Sequence, residues 1–92
     1  MEIIQSIPIQ PTVKVLLSYA TSKIKVDQEY DLYIHAPARK LYGYYMDQEL
    51  VGCLGIELVD AHQCVIKHIA VSPVHRGKGI GGEMVQFINH HH

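Results

Sequence analysis

One short segment constrains the fold most strongly, because an apolar strand there runs into a glycine-rich, cationic turn that opens a helix. The strand ends at Ile69-Ala70-Val71, and the turn spans Arg76-Gly77-Lys78-Gly79-Ile80-Gly81. Glycines lack a Cβ, so backbone N–H groups in such a turn approach an anion closely. From Ile80 to Asn89 apolar residues recur at helical spacing, which places the positive end of a helix at the turn. The segment predicts a pyrophosphate site.

Two common phosphate-binding motifs fit this segment poorly. A P-loop needs Ser or Thr after its Gly-Lys to hold magnesium, but Lys78 is followed by Gly79. The dinucleotide fingerprint G-x-G-x-x-G matches at Gly77, Gly79 and Gly82. However, residues 72–76 separate the strand from the first glycine, whereas the dinucleotide fold turns at once. Its acidic ribose ligand, about 20 residues further on, would also lie beyond the last residue.

The pattern that fits is R-x-x-G-x-G, formed by residues 76–81. Together with the strand and Val71-Ser72-Pro73, it closely resembles motif A of the GNAT superfamily of acetyl-CoA-dependent N-acetyltransferases. The resemblance is strong over residues 50–89 and only topological before them.

The resemblance implies acetyl-CoA as co-substrate, no metal, and direct attack of an amine on the acetyl thioester. The acceptor would be a primary amine of a small molecule, an amino acid or a protein. Backbone groups around Ile69, Ala70 and Val71 would hold the pantetheine arm and the acetyl carbonyl. The pyrophosphate would contact the segment Arg76, Gly77, Lys78, Gly79, Ile80 and Gly81.

Length and composition limit the remaining possibilities. With 92 residues, 48% of them hydrophobic, residues 1–92 are expected to form one domain. The net charge is −1, with −3 on residues 1–63 and +2 on residues 64–92, which favours a local anion site over a nucleic-acid surface. No apolar run approaches a membrane span and the N-terminus lacks a signal peptide, so a cytoplasmic location is expected. Cys53 and Cys64 lack metal-ligand spacing.

Periodicity predicts the order β-α-α-β-β-β-α, a mixed α/β (α+β) fold with a mostly antiparallel sheet flanked by helices. The predicted strands are Glu2–Ile7, Leu41–Met46, Leu50–Val59 and Cys64–Val71. The predicted helices run from a Thr12 cap to Ala20, from Lys23 to His35 and from Ile80 to Asn89. The inward residues of the second are expected to be Ile24, Tyr30 (or Leu32), Tyr33 and Ile34. On the long third strand, Val51 and Cys53 are expected on one face, and Leu50, Leu54 and Ile56 on the other.

A hairpin between the last two strands positions the candidate catalytic residue. Many GNAT relatives place a glutamate where this chain has Val65, so the familiar base is missing. In the expected register Glu57 lies opposite Val65, with Lys67 diagonal to it, and Cys53 faces Ile69. Glu57 is therefore the candidate proton acceptor, acting through water, and a surface ion pair with Lys67 is the alternative. His68 is expected on the opposite face, as a core histidine or as a catalytic one.

The sequence departs from the family pattern at its end. GNAT domains continue after this helix with a strand, a helix and a strand, but residue 92 follows the helix closely. Either the chain is truncated, or it is a half-domain whose open sheet edge is covered by another chain, as in a homodimer. A non-catalytic CoA-binding or dimerisation module is therefore the alternative to an enzyme.

Overall fold

The structure is a computed structural model that describes residues 4–6 and 11–91. A four-stranded sheet, in the order β1-β2-β3-β4 with every pair antiparallel, carries helices on both faces. The strands are β1 (Ile4–Ser6), β2 (Arg39–Met46), β3 (Glu49–Leu58) and β4 (Cys64–Val71). The helices are α1 (Pro11–Leu17), α2 (Val26–His35) and α3 (Ile80–His91), with a 3₁₀ turn at Pro73–His75. This arrangement confirms the predicted fold class and element order.

The first two helices are shorter than the sequence predicted. Helix α1 begins at Pro11, a residue suited to the first helical position, so Thr12 lies inside the helix and does not cap it. The chain then turns over Ser18–Ala20. Helix α2 begins at Val26, because Ser22 holds the backbone N–H of Lys25 in a turn. The predicted first strand, Glu2–Ile7, begins and ends in residues 1–3 and 7–10, which lie outside the described residues.

Two predictions about the inward side of α2 were wrong. Ile24 is 92% exposed, since it precedes the helix, and Ile34 is also exposed. The inward side chains are Val26 and Tyr33, which pack against α1 and the sheet, with Tyr30 at the edge of the same cluster.

Two β-bulges change which side chains share a face. An extra residue in β3, Val51, separates the pairs Tyr44↔Gly52 and Tyr45↔Leu50. Val51 therefore packs with Leu54 on the α3 side, and Leu50 packs with Cys53 on the α1 side, contrary to the expected alternation.

The second bulge lies between β3 and β4. Glu57 pairs with Val65 as predicted, but the extra residue Lys67 shifts the register beyond it. Cys53 then faces Ala70 instead of Ile69.

Each face of the sheet has its own apolar core, and a glycine of β3 admits a close neighbour on each. On one face α3 contributes Ile80, Met84 and Ile88, and a Cβ on Gly52 would lie 3.3 Å from side-chain atoms of Ile80 and Met84. On the other face, α1 and α2 cover the sheet, and a Cβ on Gly55 would overlap the ring and hydroxyl of Tyr33. These glycines set how closely the helices approach the sheet.

Candidate active site

The glycine turn joins the end of β4 to the first turn of α3. Gly77 and Gly79 adopt φ values of +83° and +79°, a conformation that L-residues rarely take, and a Cβ on either would meet no atom within 4 Å. Within residues 4–6 and 11–91, the backbone N–H groups of Gly77, Lys78 and Gly79 have no hydrogen-bond acceptor. The first N–H groups of α3 follow directly and lack intrahelical partners. The turn thus places unpaired backbone N–H donors at the N-terminus of α3, next to open space.

The start of α3 is fixed relative to the sheet by contacts on both sides of its first turn. Ile80 is buried against β3 beside Gly52, while the Tyr44 hydroxyl of β2 donates a hydrogen bond to the Glu83 carboxylate. The positions of the donors in the glycine turn therefore depend on the packing of α3.

The outer edge of β4 also presents backbone groups that face away from the sheet. In an antiparallel strand, alternate residues direct their polar groups toward opposite edges. Ser72 donates its N–H to Val51 O of β3, at 2.8 Å, so the preceding alternate residues, Val71 and Ile69, direct theirs outward. The Val71 carbonyl confirms this direction, because it accepts a hydrogen bond from Arg76 Nε at 3.2 Å. These are the groups that the resemblance assigns to the pantetheine arm.

Arg76 does not extend over the glycine turn in this structure. Its guanidinium lies 5.6 Å from the centre of the Tyr19 ring, which belongs to the turn after α1. Lys78, by contrast, is exposed at the glycine turn itself. Of the two predicted cations, the structure therefore places only Lys78 beside the free N–H groups.

A second polar group lies on the opposite face of the sheet, under α2. The Tyr33 hydroxyl lies 2.6 Å from His68 Nδ1, and Glu29 Oε1 lies 3.6 Å from His68 Nε2. Arg39 contacts two carboxylates, with Nη1 3.5 Å from Glu29 Oε2 and Nε 3.3 Å from Glu57 Oε2. We call these five residues the polar cluster.

The inner side chains of the polar cluster are buried, and its two carboxylates reach the surface. The side chains of His68 and Arg39 are 6% and 7% exposed, whereas those of Glu29 and Glu57 are 21% and 42% exposed. Arg39 Nη1 is buried and makes no hydrogen bond to any residue that the structure describes, despite its ion pair with Glu29.

Burial governs the protonation of the two inner members. Desolvation lowers the pKa of His68, reinforced by Arg39 and Lys67 and opposed by Glu29, so the neutral imidazole is favoured. Burial also raises the pKa of Tyr33, which keeps its hydroxyl protonated.

The structure corrects the predicted surroundings of Glu57 and His68. Glu57 pairs with Arg39, its cross-strand neighbour on β2, and not with Lys67. The bulge at Lys67 leaves Ile66 opposite Ile56 but puts His68 opposite Gly55, so His68 lies on the same face as Glu57. Its ring is hydrogen-bonded to the Tyr33 hydroxyl. The sequence signal for this contact was Gly55, one of two glycines in β3, because a glycine in a strand leaves room for a side chain from another element.

Three further observations concern the part of the chain that the structure describes. A cavity of about 370 Å³ lies at the far end of β4 from the glycine turn. It is lined by Val59, His62, Gln63, Cys64, Val65, Ile88 and Asn89. Within residues 4–6 and 11–91, no His, Cys, Asp and Glu side chains form a group that could hold a metal ion. In the same residues, no helix combines the length and apolarity that a membrane span requires.

Comparison with known sequences decides the family. The sequence profile of the Acetyltransferase (GNAT) family matches residues 10–91. The chain belongs to the GNAT acetyltransferase family. It is 32% identical over 62 residues to an uncharacterized N-acetyltransferase of Bacillus methanolicus, covering 67% of this chain and 52% of that protein. It is 41% identical over 46 residues to a streptothricin acetyltransferase of Escherichia coli, covering 50% of this chain and 26% of that protein.

Solved GNAT structures share the fold. A GNAT family acetyltransferase of Elizabethkingia anophelis with acetyl-CoA bound matches with a TM-score of 0.73 and 27% identity, over 94% of this chain and 54% of that one. An IAA acetyltransferase of Bacillus cereus matches with a TM-score of 0.76 and 21% identity, over 98% and 57% of the two chains. This chain therefore spans about half the length of these structures, about half of the Bacillus methanolicus protein and about a quarter of the Escherichia coli protein.

Proposed function

We propose that the protein is an N-acetyltransferase that transfers the acetyl group of acetyl-CoA to a primary amine. The observation that carries the proposal is the glycine turn, where free N–H groups at the α3 N-terminus meet the outward-facing backbone of β4. The family match and the acetyl-CoA in the Elizabethkingia anophelis relative support the same cofactor for this chain.

The proposed cofactor contacts follow the chain in order. The N–H groups of residues 77–81 donate to the pyrophosphate, and Lys78 adds a positive charge. The pantetheine arm lies along the edge of β4, bonded to outward groups of Ile69 and Val71 beside Ala70. Arg76 donates a hydrogen bond to the Val71 carbonyl in this structure, so its side chain must move away when pantetheine binds to that carbonyl. Its guanidinium is then free to reach the phosphates.

In the proposed reaction the amine attacks the thioester carbon directly. The chain contributes by aligning the two reactants and by donating the Ile69 N–H to the oxygen that gains negative charge. A primary alkylamine is largely protonated near pH 7 and must lose a proton before it attacks. Glu57, half exposed on the α2 side of the sheet, is the proposed acceptor through water.

Binding of CoA tests the proposal without any knowledge of the acceptor. A ligand at 100 times its Kd stabilises a folded protein by about 2.7 kcal/mol, so CoA at that concentration should raise the melting temperature by about 10–20 °C. Gly79→Glu should abolish this stabilisation, because it places a negative charge where the phosphates bind. Gly79→Ala is the matched control, since it carries the same strain at positive φ without the charge.

The outcomes of this experiment are distinct. Loss of the CoA response in Gly79→Glu, with most of it kept in Gly79→Ala, supports the site. Stabilisation by NADH but not by CoA contradicts it, as does an equal CoA response in the wild type and Gly79→Glu. Acetyl transfer to a panel of primary amines then tests the reaction itself.

A further inference from the structure

The side chain of Arg76 is held by two neutral partners, neither of which belongs to the glycine turn. Its Nε donates a hydrogen bond to the Val71 carbonyl oxygen at 3.2 Å, and its guanidinium carbon lies 5.6 Å from the centre of the Tyr19 ring. Tyr19 is 47% exposed and belongs to the turn that follows α1. Arg76 therefore connects the turn after α1 to the carbonyl that the proposed function assigns to pantetheine.

The backbone of Arg76 leaves a second position open to this side chain. The residue ends the 3₁₀ turn, where its N–H is directed to the Pro73 carbonyl oxygen at 3.5 Å, and it directly precedes Gly77. From the same Cα, the guanidinium can lie back against Val71, as it does here, or forward over the unpaired N–H donors of the glycine turn. The proposed phosphate site lies at the forward position.

The present contacts of Arg76 are weak compared with those of Arg39, the other arginine of the chain. Arg39 is buried and lies within 3.5 Å of two carboxylates. Arg76 is exposed, and none of the ion pairs among residues 4–6 and 11–91 includes it. A neutral hydrogen bond and an exposed cation–π contact hold a guanidinium less tightly than a phosphate, which accepts charge-assisted and often bidentate bonds. A phosphate group should therefore displace Arg76 from Val71, whereas a ligand without a phosphate offers it no new partner.

We propose that Arg76 selects the cofactor, because it blocks the Val71 carbonyl until a ligand supplies a phosphate for its guanidinium. Tyr19 is the positioning residue that holds Arg76 in the blocking position. The class selected is a pantetheine thioester that carries a diphosphate, as acetyl-CoA does, and the class rejected is a pantetheine thioester without phosphate groups. This inference rests on the proposed function, because that proposal places pantetheine on the Val71 carbonyl.

The selection arises from a difference between two affinities. Every ligand that uses the Val71 carbonyl must break both contacts of Arg76, which lowers its apparent affinity. CoA regains more than this loss, because the bonds to its phosphates are charge-assisted and the contacts that are broken are not. Pantetheine regains nothing. Removal of the Arg76 side chain should therefore change the two affinities in opposite directions, which a residue that only bound phosphate or only supported the fold would not do.

The first test compares the affinities of CoA and of reduced pantetheine, from titrations that follow the backbone amide NMR signals of β4 and the glycine turn. Arg76→Ala should bind pantetheine at least about threefold more tightly than the wild type, because the Val71 carbonyl is no longer blocked. The same variant should bind CoA at least about threefold more weakly, because the phosphates lose a charged partner. Lys78→Ala is the matched control, since its cation is exposed at the glycine turn itself. It should weaken CoA binding and leave pantetheine binding unchanged.

Opposite changes of the two affinities in Arg76→Ala support the inference. A pantetheine affinity that is unchanged or lower in this variant overturns it, and so does a CoA affinity that stays the same or rises. If pantetheine binds neither protein measurably, the second test decides.

The second test isolates Tyr19 and uses CoA alone. Tyr19→Leu keeps an apolar side chain but removes the ring that Arg76 contacts, so CoA should bind about two- to fivefold more tightly, the range of an exposed cation–π contact. In an Arg76→Ala background the same substitution should change the CoA affinity by less than about twofold, because the contact is already absent. No gain in the wild-type background, or an equal gain in both backgrounds, would contradict the inference.

The NMR signal of the Arg76 Nε–H group reports the movement directly, and its absence from Arg76→Lys identifies it. CoA should shift this signal, because the group leaves the Val71 carbonyl and the vicinity of the Tyr19 ring. Bound CoA with an unchanged Arg76 signal overturns the inference alone. Failure of CoA to bind at all overturns the proposed function instead, so the two failures are distinguishable.

Discussion

The two faces of the sheet carry two polar regions of different origin. On the α3 side, the glycine turn comes from one continuous segment whose donors are backbone N–H groups. On the α2 side, the polar cluster brings together side chains from α2, β2, β3 and β4. The first region depends on backbone conformation and the second on packing. Mutations should therefore affect the first mainly through ligand binding and the second mainly through stability and protonation.

The largest effect should come from the glycine beneath Tyr33. Gly55→Ala places a methyl group inside the Tyr33 ring, which is buried and cannot move aside without breaking the bond to His68. Overpacking plus the loss of that bond should lower the free energy of unfolding by about 3 kcal/mol, measured by urea denaturation. A loss below about 1 kcal/mol would show that the residues packed under α2 can shift to accommodate the added methyl group.

The corresponding change on the α3 side should cost less. In Gly52→Ala the new methyl group lies 3.2–3.3 Å from its neighbours, two of which are side-chain atoms of Ile80 and Met84. Small shifts of these two side chains relieve their contacts, and only the contact with the backbone carbonyl oxygen of Ala70, at 3.2 Å, remains. We therefore expect a loss of about 1 kcal/mol by the same measurement. The affinity for CoA is the more informative readout here, because α3 positions the glycine turn. An unchanged affinity for CoA would show that the packing of α3 around Gly52 does not position the glycine turn.

These glycines also show what the sequence could and could not predict. The glycine turn, the strand before it and α3 follow from local patterns, so their positions and the family were predicted correctly. The polar cluster depends on a bulge at Lys67, which changes the register after Ile66 and moves His68 to the face of Glu57. No local pattern in β4 marks that extra residue, so alternation put His68 on the wrong face. The partner of Glu57 was missed because Arg39 comes from a strand predicted to start two residues later.

The bond between Tyr33 and His68 should contribute less than the packing of Gly55. Tyr33→Phe keeps the ring but removes the hydroxyl that pairs with Nδ1 in a buried site. The unpaired nitrogen should cost about 1–2 kcal/mol of unfolding free energy. Tyr30→Phe is the matched control, because Tyr30 lies at the edge of the same apolar cluster. Equal losses in the two variants would mean that the Tyr33 hydroxyl contributes nothing specific.

The exposed edge of β4 tests whether the sheet recruits a second chain. In the described sheet β4 pairs only with β3, and Val65 and Ile69 are partly exposed along it. We expect the 92-residue chain to associate through this edge, with Val65→Lys weakening association about tenfold in sedimentation experiments. Val15→Lys, at an exposed position of α1, is the control and should not change it. A wild-type monomer at high concentration, with edge amides protected from hydrogen exchange, would contradict this.

The smallest effect should be the pH dependence of stability that His68 contributes. Its pKa is lowered in the folded protein, chiefly by burial, so the unfolded chain binds the proton more readily. The stabilisation from the neutral ring is therefore complete above about pH 6.5, the ordinary histidine value, and decreases as pH falls below it. Glu29→Gln removes the charge that opposes this shift, so its stability should fall more steeply with acid than that of the wild type. The comparison of urea midpoints at pH 7.5 and 5.5, with His68→Gln as the reference for the other histidines, measures the difference. If Glu29→Gln and the wild type lose the same stability, the two residues are not coupled and the polar cluster acts only through packing.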